Sequence, residues 1–412
     1  MRAAARAKAP PANPLEYNLL LTATLCLLAF GAVMVYSASS ARALLEGQGD
    51  GTGFLVRYVT YGALGLVGMH VVARRGLDGV VRVTPHLLAF AFVCLVAVKV
   101  PGLGVTVNGA RRWLGAGPLQ FQPSEIAKLA LVLHGAKLLA KRPGRIEAPG
   151  DAMPLLIATG LAILLVASQP DLGTALVIAF TLTAMLVAAG MPVRYLAMGA
   201  GILAALVLLY ALSAPYRRAR LTTFLNPWAH AGDAGFQAVQ GQIALGSGGL
   251  FGRGIGQSVQ KIFYLPEAHT DFILAIIGEE LGVAGLFGVL ALYGLLAYAG
   301  LRVAKRANGA YAKLLAAGLT SLILSQACLN VFAVLGLAPL TGVPLPFISY
   351  GSTNLTVLLA SMGLLLNVAA GGRAQLKVVT GSRRDGAHDR HRRRRDGGAR
   401  RARAGGRRRA AG

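Results

Sequence analysis

The chain has 412 residues, of which 55% are hydrophobic and only 14% are charged, with a formal net charge of +25. Soluble domains carry roughly a quarter charged residues, so an ordinary soluble protein is excluded. The excess charge does not point to nucleic acid either. Residues 371–412 alone hold 15 Lys/Arg against 3 Asp/Glu, a net +12 in an Arg-, Gly- and Ala-rich segment.

Residues 1–16 form a basic N-terminal segment carrying Arg2, Arg6 and Lys8. The apolar stretch from Leu19 to Tyr36, followed by Ser37-Ala38-Ser39, has the order of a secretory signal. It is longer than the usual apolar region of such signals, and more spans follow, so it reads as a retained first helix. Ten apolar runs predict transmembrane helices at about 17–38, 55–73, 83–100, 123–140, 153–169, 171–190, 194–213, 271–300, 313–336 and 352–370. The fold class expected is therefore an all-α integral membrane protein of about ten helices. A long extracytoplasmic loop joins the seventh helix to the eighth. Arg74, Arg75 and Arg82, then Lys141, Arg142 and Arg145, then Arg302, Lys305, Arg306 and Lys313 fall on one face with both termini. The positive-inside rule makes that face cytoplasmic. Cys26, Cys94 and Cys328 lie in apolar runs, so no disulfide framework is implied.

The opposite face carries the longer connections. The first, at about 101–123, contains Arg111-Arg112-Trp113 and runs into Pro123, Glu125 and Lys128. Two cations beside an indole suit an interfacial anchor or a grip on phosphate. Glu125 and Lys128, three residues apart, share a helix face. They form either a structural ion pair or the lining of a substrate groove. The loop at about 214–270 is too long for a plain connector. It contains Phe224, Trp228, Phe236, Phe251, Phe263 and Tyr264, which predicts an ordered segment able to pack. Its glycine-rich part, Gly246 to Gly256, lacks the Gly-Lys-Ser/Thr of a phosphate loop and reads as a mobile segment or an anion cradle. It leads to Glu267, His269 and Asp271, which border an apolar helix. A carboxylate held beside low dielectric binds its proton more tightly and can serve as a base. A divalent cation on these three groups is the alternative reading. Glu279-Glu280 lies inside an eighth helical stretch too long for one span, whose first part is expected to border a groove. There, a structural role is the leading reading.

These segments resemble the SEDS family of bacterial cell-wall proteins over about 15–370. The matching residues are Asn108 to Trp113, Gln122 to Lys128, Gln169 to Thr174, Ala214 to Arg217, Asn226 to Trp228, Gly246 to Gly252, Tyr264 to Gly282 and Pro344 to Gly351. Tyr264 to Ile273 is most similar to the cell-division branch (FtsW-like), with the elongation branch (RodA-like) as runner-up. The resemblance implies a peptidoglycan glycosyltransferase that polymerises lipid II. It implies Asp271 as the catalytic residue. Arg111, Arg112, Trp113, Glu125, Lys128, Arg217, His269, Glu279 and Ser349 are the substrate-binding candidates. The sequence departs from the family pattern in one turn, where Ser349-Tyr350-Gly351 is followed by Ser352 rather than a second glycine, and Leu274 stands where Phe is common.

The expected organisation is a cytoplasmic segment 1–16, a membrane domain 17–370 and a disordered Arg-rich cytoplasmic tail 371–412. Expected partners are lipid II, a class B penicillin-binding protein, divisome proteins and anionic lipid at the tail, with no nucleic acid. The location expected is the bacterial cytoplasmic membrane, at the division septum. No cofactor is assigned, and a lipid II flippase is the rival function.

Overall fold

The apolar runs fold as helices, which in hydrocarbon satisfy their own backbone groups. The computed structural model describes residues 14–372 apart from 48, 108, 117–118, 143, 145, 214–217, 219–222 and 234. Arg217 and residues 373–412 therefore lie outside the described residues. The long helices are α1 (Pro14–Leu45), α2 (Gly53–Arg74), α3 (Leu77–Ala97), α4 (Pro123–Ala140), α5 (Met153–Ala167), α6 (Leu172–Ala188) and α7 (Val193–Leu212). A short α8 (Phe236–Ser247) precedes α9 (Ile273–Arg306), α10 (Ala310–Val334) and α11 (Ser352–Ala369). Each predicted span coincides with one of the long helices. Among the described residues, seven helices have both the length and the hydropathy to cross a membrane. The α6 and α7 helices are shorter apolar segments.

The interior is built by α10 and α11, which are buried along most of their length. The α10 helix packs against α9, α6 and α4, while α11 lies along α2. The outer helices α2 and α3 instead expose large apolar side chains, Val56, Leu64, Val67 and Val93 among them. In lipid such exposure carries no hydrophobic penalty. At one end of the bundle, buried Glu16 of α1 accepts from Arg302 at 3.0 Å and Arg306 at 2.9 Å. The start of α1 and the end of α9 thus share a face, as the charge pattern predicts.

Two features were not read from the sequence. The connection after α3 folds as an antiparallel sheet of β1 (Gly104–Val107), β2 (Ala110–Ala116) and β3 (Leu119–Phe121), in the order β1-β2-β3. Val105 pairs with Trp113 and Thr106 with Arg111, so Arg112 is the extra residue of a bulge. The second feature is a break in α9. Gly282 adopts φ 66° and ψ −161°, a backbone region essentially restricted to glycine. The stretch Ile273–Leu281 is thereby separated from the rest as a buried half-helix. A Cβ at Gly282 would also lie 2.5 Å from the Gly252 amide nitrogen. The glycine-rich segment thus brings two backbones together, with the Gly252, Arg253 and Gly254 amides already donating to carbonyls. Of the loop aromatics, Trp228, Phe251, Phe263 and Tyr264 are exposed on this chain.

Candidate active site

Asp271 stands two residues before the buried half-helix, at the end of the turn-rich run 259–272. Its backbone is fixed from across the bundle. Asn330 of α10 donates through Nδ2 to the Asp271 carbonyl at 2.7 Å and to the Val343 carbonyl at 2.8 Å. One buried amide therefore ties the candidate carboxylate's loop to the 339–351 loop. Gly342 closes the other side, where a Cβ would sit 3.8 Å from Asp271 Oδ2. The Thr270 hydroxyl lies 3.2 Å from Asp271 Oδ1 and 3.1 Å from Glu267 Oε2.

The environment raises the Asp271 carboxyl to about 6 from an ordinary 3.8. Burial is the largest cause, and the nearby Glu267 carboxylate adds to it. Hydrogen bonds from the Asp271 amide and Thr270 oppose the shift. His269 moves the other way, because burial disfavours its charged form. Its ring packs 4.4 Å from that of Phe54 and 5.7 Å from that of Tyr350, and its carbonyl accepts from the Tyr350 amide at 3.0 Å. At neutral pH it is an uncharged packing group between α2 and the two loops.

A buried polar chain supports the 339–351 loop from α4. Glu125 and Lys128 pair at 2.9 Å, both almost fully buried. Asn354 of α11 donates to Glu125 Oε2 at 2.7 Å. Lys128 donates to Gln326 Oε1 at 2.9 Å, and Gln326 donates to the Pro344 carbonyl at 3.0 Å. A buried pair is tolerated when further hydrogen bonds satisfy its remaining atoms, as here. Ser349 pins the same loop by accepting from the Leu345 amide at 2.8 Å. The Asp271, Glu125, Lys128, His269 and Ser349 positions thus converge on one loop pair.

The other predicted residues do not join them directly. Arg112 donates to the Gln169 carbonyl at 3.0 Å and to the Pro170 carbonyl, anchoring the sheet to the start of α6. Gln122 continues that anchor by donating through Nε2 to Asp171 Oδ2 at 3.2 Å, and its backbone amide donates to the Thr353 hydroxyl at 3.1 Å. The Arg111 side chain is exposed and makes no hydrogen bond or ion pair with the described residues, so its charge is available to a ligand. Trp113 is half-buried on the same strand. Glu279 belongs to a separate cluster, where Ser258 donates to it at 2.6 Å and the Val259 amide at 3.0 Å. Among the described residues, no three His, Cys, Asp or Glu gather as a metal site.

Sequence reasoning missed Asn330, Gln326 and Asn354. The usable signal was a polar pair four residues apart in an otherwise apolar helix, since such residues face the bundle interior.

Residues 17–373 match the family model for the cell-cycle proteins FtsW, RodA and SpoVE. The chain is 40% identical over 353 residues to the probable peptidoglycan glycosyltransferase FtsW of Geobacter sp. strain M18, covering 85% of this chain and 96% of that one. It is also 40% identical to the stage V sporulation protein E of Bacillus subtilis strain 168, with the same coverage. Among solved structures, it resembles a chain from a peptidoglycan synthase complex that coordinates polymerization and crosslinking. The TM-score is 0.71 at 30% identity, covering 86% of this chain and 98% of that chain. The rod-shape-determining protein RodA of Thermus thermophilus superposes with a TM-score of 0.63 at 29% identity, covering 86% and 97%.

Proposed function

Since the chain belongs to the FtsW, RodA and SpoVE family, we propose that it is a peptidoglycan glycosyltransferase polymerising lipid II at the outer face of the cytoplasmic membrane. The observation that carries the mechanism is the raised proton affinity of Asp271 at the mouth of the half-helix. A hydroxyl of the acceptor sugar attacks the anomeric carbon of the donor. The new carbon–oxygen bond forms as the bond from that carbon to the lipid pyrophosphate breaks. Pyrophosphate leaves readily, so no group is needed to protonate it, in contrast to ordinary glycosidases. Asp271 takes the proton of the attacking hydroxyl and returns it to water. A carboxyl at about 6 is mostly ionised at neutral pH yet a stronger base than an ordinary aspartate.

The unengaged Arg111 holds the diphosphate by its guanidinium fork, with Trp113 beside it. Arg112, Glu125, Lys128, His269, Glu279 and Ser349 act by positioning protein segments, each already holding a protein partner. Arg217 remains a candidate cation for the diphosphate. Residues 17–370 form the membrane domain and both termini are cytoplasmic. A class B penicillin-binding protein cross-links the product. The activity serves the division septum, a reading supported by the resemblance to FtsW.

Polymerisation of purified lipid II by the full chain with its transpeptidase tests this reading. Asp271→Asn should lower the rate by about 100-fold or more, the usual contribution of a general base. Undiminished glycan formation by that variant would sink the assignment. Transport of fluorescent lipid II across liposomes, lost with Asp271→Asn while polymerisation persists, would instead favour the flippase.

A further inference from the structure

Glu279, Glu280 and the glycine-rich segment take no part in the chemistry above, yet they form one construction. The Gly252, Arg253 and Gly254 amides donate to the carbonyls of Gly248, Glu279 and Glu280 at 2.8, 3.0 and 2.9 Å. The Val283 and Ala284 amides, freed by the break at Gly282, donate back to Gly249 and Leu250 at 3.0 and 3.1 Å. From Gln257 to Ile262 every amide donates inside the protein. Three of these go to the carboxylates of Glu279 and Glu280. The charges are matched as well. Lys261 pairs with Glu280 at 2.7 Å, Ser37 of α1 donates to Glu280 at 2.7 Å, and Arg253 lies 3.5 Å from Glu279.

The outside of the same segment is apolar. Leu250 is 68% exposed and Phe251 83%, and Ile255, Val259 and Phe263 are also exposed. This arrangement reverses that of a soluble loop, which turns its polar groups to water and its apolar ones inward. Irregular backbone is tolerated at membrane depth only when protein satisfies its hydrogen bonds.

The depth is set by α9. Val283 to Arg306 is roughly 36 Å of helix, enough for a hydrocarbon core of about 30 Å. Its exposed apolar face begins at Val283 and continues through Phe287, which is 73% exposed. Leu250 is hydrogen-bonded beside that starting point, so the exposed surface of the loop continues the lipid-facing surface of the helix.

We propose that Gly248–Tyr264 is a re-entrant element seated in the outer leaflet, with Leu250, Phe251 and Ile255 in contact with acyl chains. Glu279 and Glu280 act in it as internal replacements for water. The exposed Arg253 and Gln257 side chains reach the headgroups and set the depth at the acyl boundary. The inference rests on α9 crossing the membrane and not on the role of Asp271.

The test uses the full chain in phosphatidylcholine–phosphatidylglycerol liposomes. Phe251→Trp adds an emission read as the difference from the parent, with Ile255→Trp as a second position and Phe287→Trp as the lipid-facing reference. Phosphatidylcholine brominated on the acyl chain should remove most of the added emission at both loop positions, to the extent seen for Phe287→Trp. Iodide in the buffer should remove little of it. Quenching by iodide with no effect of bromolipid would overturn the proposal and mark the surface as an aqueous face for a protein partner. Resistance to both quenchers would overturn it too, since the side chain would then be covered by protein. Polymerisation assayed on the same liposomes reports separately on the proposed function.

Discussion

Burial and the Glu267 carboxylate disfavour the ionised form of Asp271, and this has consequences for stability as well as rate. The folded value of about 6 lies above the ordinary 3.8. Below about pH 4 both folded and unfolded chains hold the proton, so nothing is lost. As pH rises towards 6 the unfolded chain ionises first, and stability falls across that window. At pH 7 the cost is on the order of 1–2 kcal/mol, allowing for partial solvent screening. Asp271→Asn should therefore melt higher than the parent at pH 7, by an amount that vanishes near pH 4, while losing activity. The activity of the parent should rise with pH and level off above about 6, as the base loses its proton. A rate flat through that range would remove Asp271 from the proton transfer. Asn330 is the complementary residue, since its amide donates to the Asp271 carbonyl. Asn330→Ala leaves two carbonyls without their donor, at roughly 1–3 kcal/mol of stability. It should also lower kcat by about 10-fold with KM little changed, since displaced catalytic groups reduce rate more than binding. A shifted midpoint in the pH–rate profile would separate this positioning role from simple destabilisation.

At the scale of elements, α4 and α10 reach the 339–351 loop through buried polar groups, and the strength of that link can be measured. Lys128→Ala leaves Glu125 buried and uncompensated, which costs about 3–5 kcal/mol. Glu125→Gln combined with Lys128→Met removes both charges and should melt within about 1–2 kcal/mol of the parent. Thermal unfolding in detergent reads both outcomes. A double variant as stable as the parent but without polymerase activity would assign the Lys128 charge to substrate instead. The helices themselves were legible because hydrocarbon demands continuous apolar runs, and each predicted span overlaps a helix. The eighth run was visibly too long for one crossing. Its break was not legible, because Gly282 is one of several glycines in α9, and its positive φ and its approach to Leu250 and Gly252 belong to the folded chain. The sheet escaped because its strands have four, seven and three residues and a bulge at Arg112, which erases alternation. Asp271 was found from its setting and from the family pattern. Asn330 was not, because its partners are backbone carbonyls, which carry no side-chain signature.

For the whole molecule, the positive charge is concentrated in a segment of sequence distinct from the candidate site. The candidate site gathers around Asp271 and the 339–351 loop, whereas a net charge of +12 lies in residues 371–412. Attraction of a polybasic segment to anionic lipid is worth about 1 kcal/mol for each Lys or Arg at the surface and decays within a Debye length. It requires no contact with the outer loops. A chain ending at residue 372 should therefore polymerise lipid II in detergent at the rate of the full chain. In nanodiscs the tail should show its own dependence on lipid. Trypsin, which cuts at its many arginines, should remove it several-fold more slowly from phosphatidylglycerol discs than from phosphatidylcholine discs at low salt. That difference should disappear as salt approaches about 1 M, where screening is nearly complete. Equal cleavage in both lipids at low salt would leave the tail free of the membrane and assign its charge to a protein partner. Loss of polymerisation on truncation would instead couple the tail to the activity, which the hydrogen-bonded framework around Asp271 does not require.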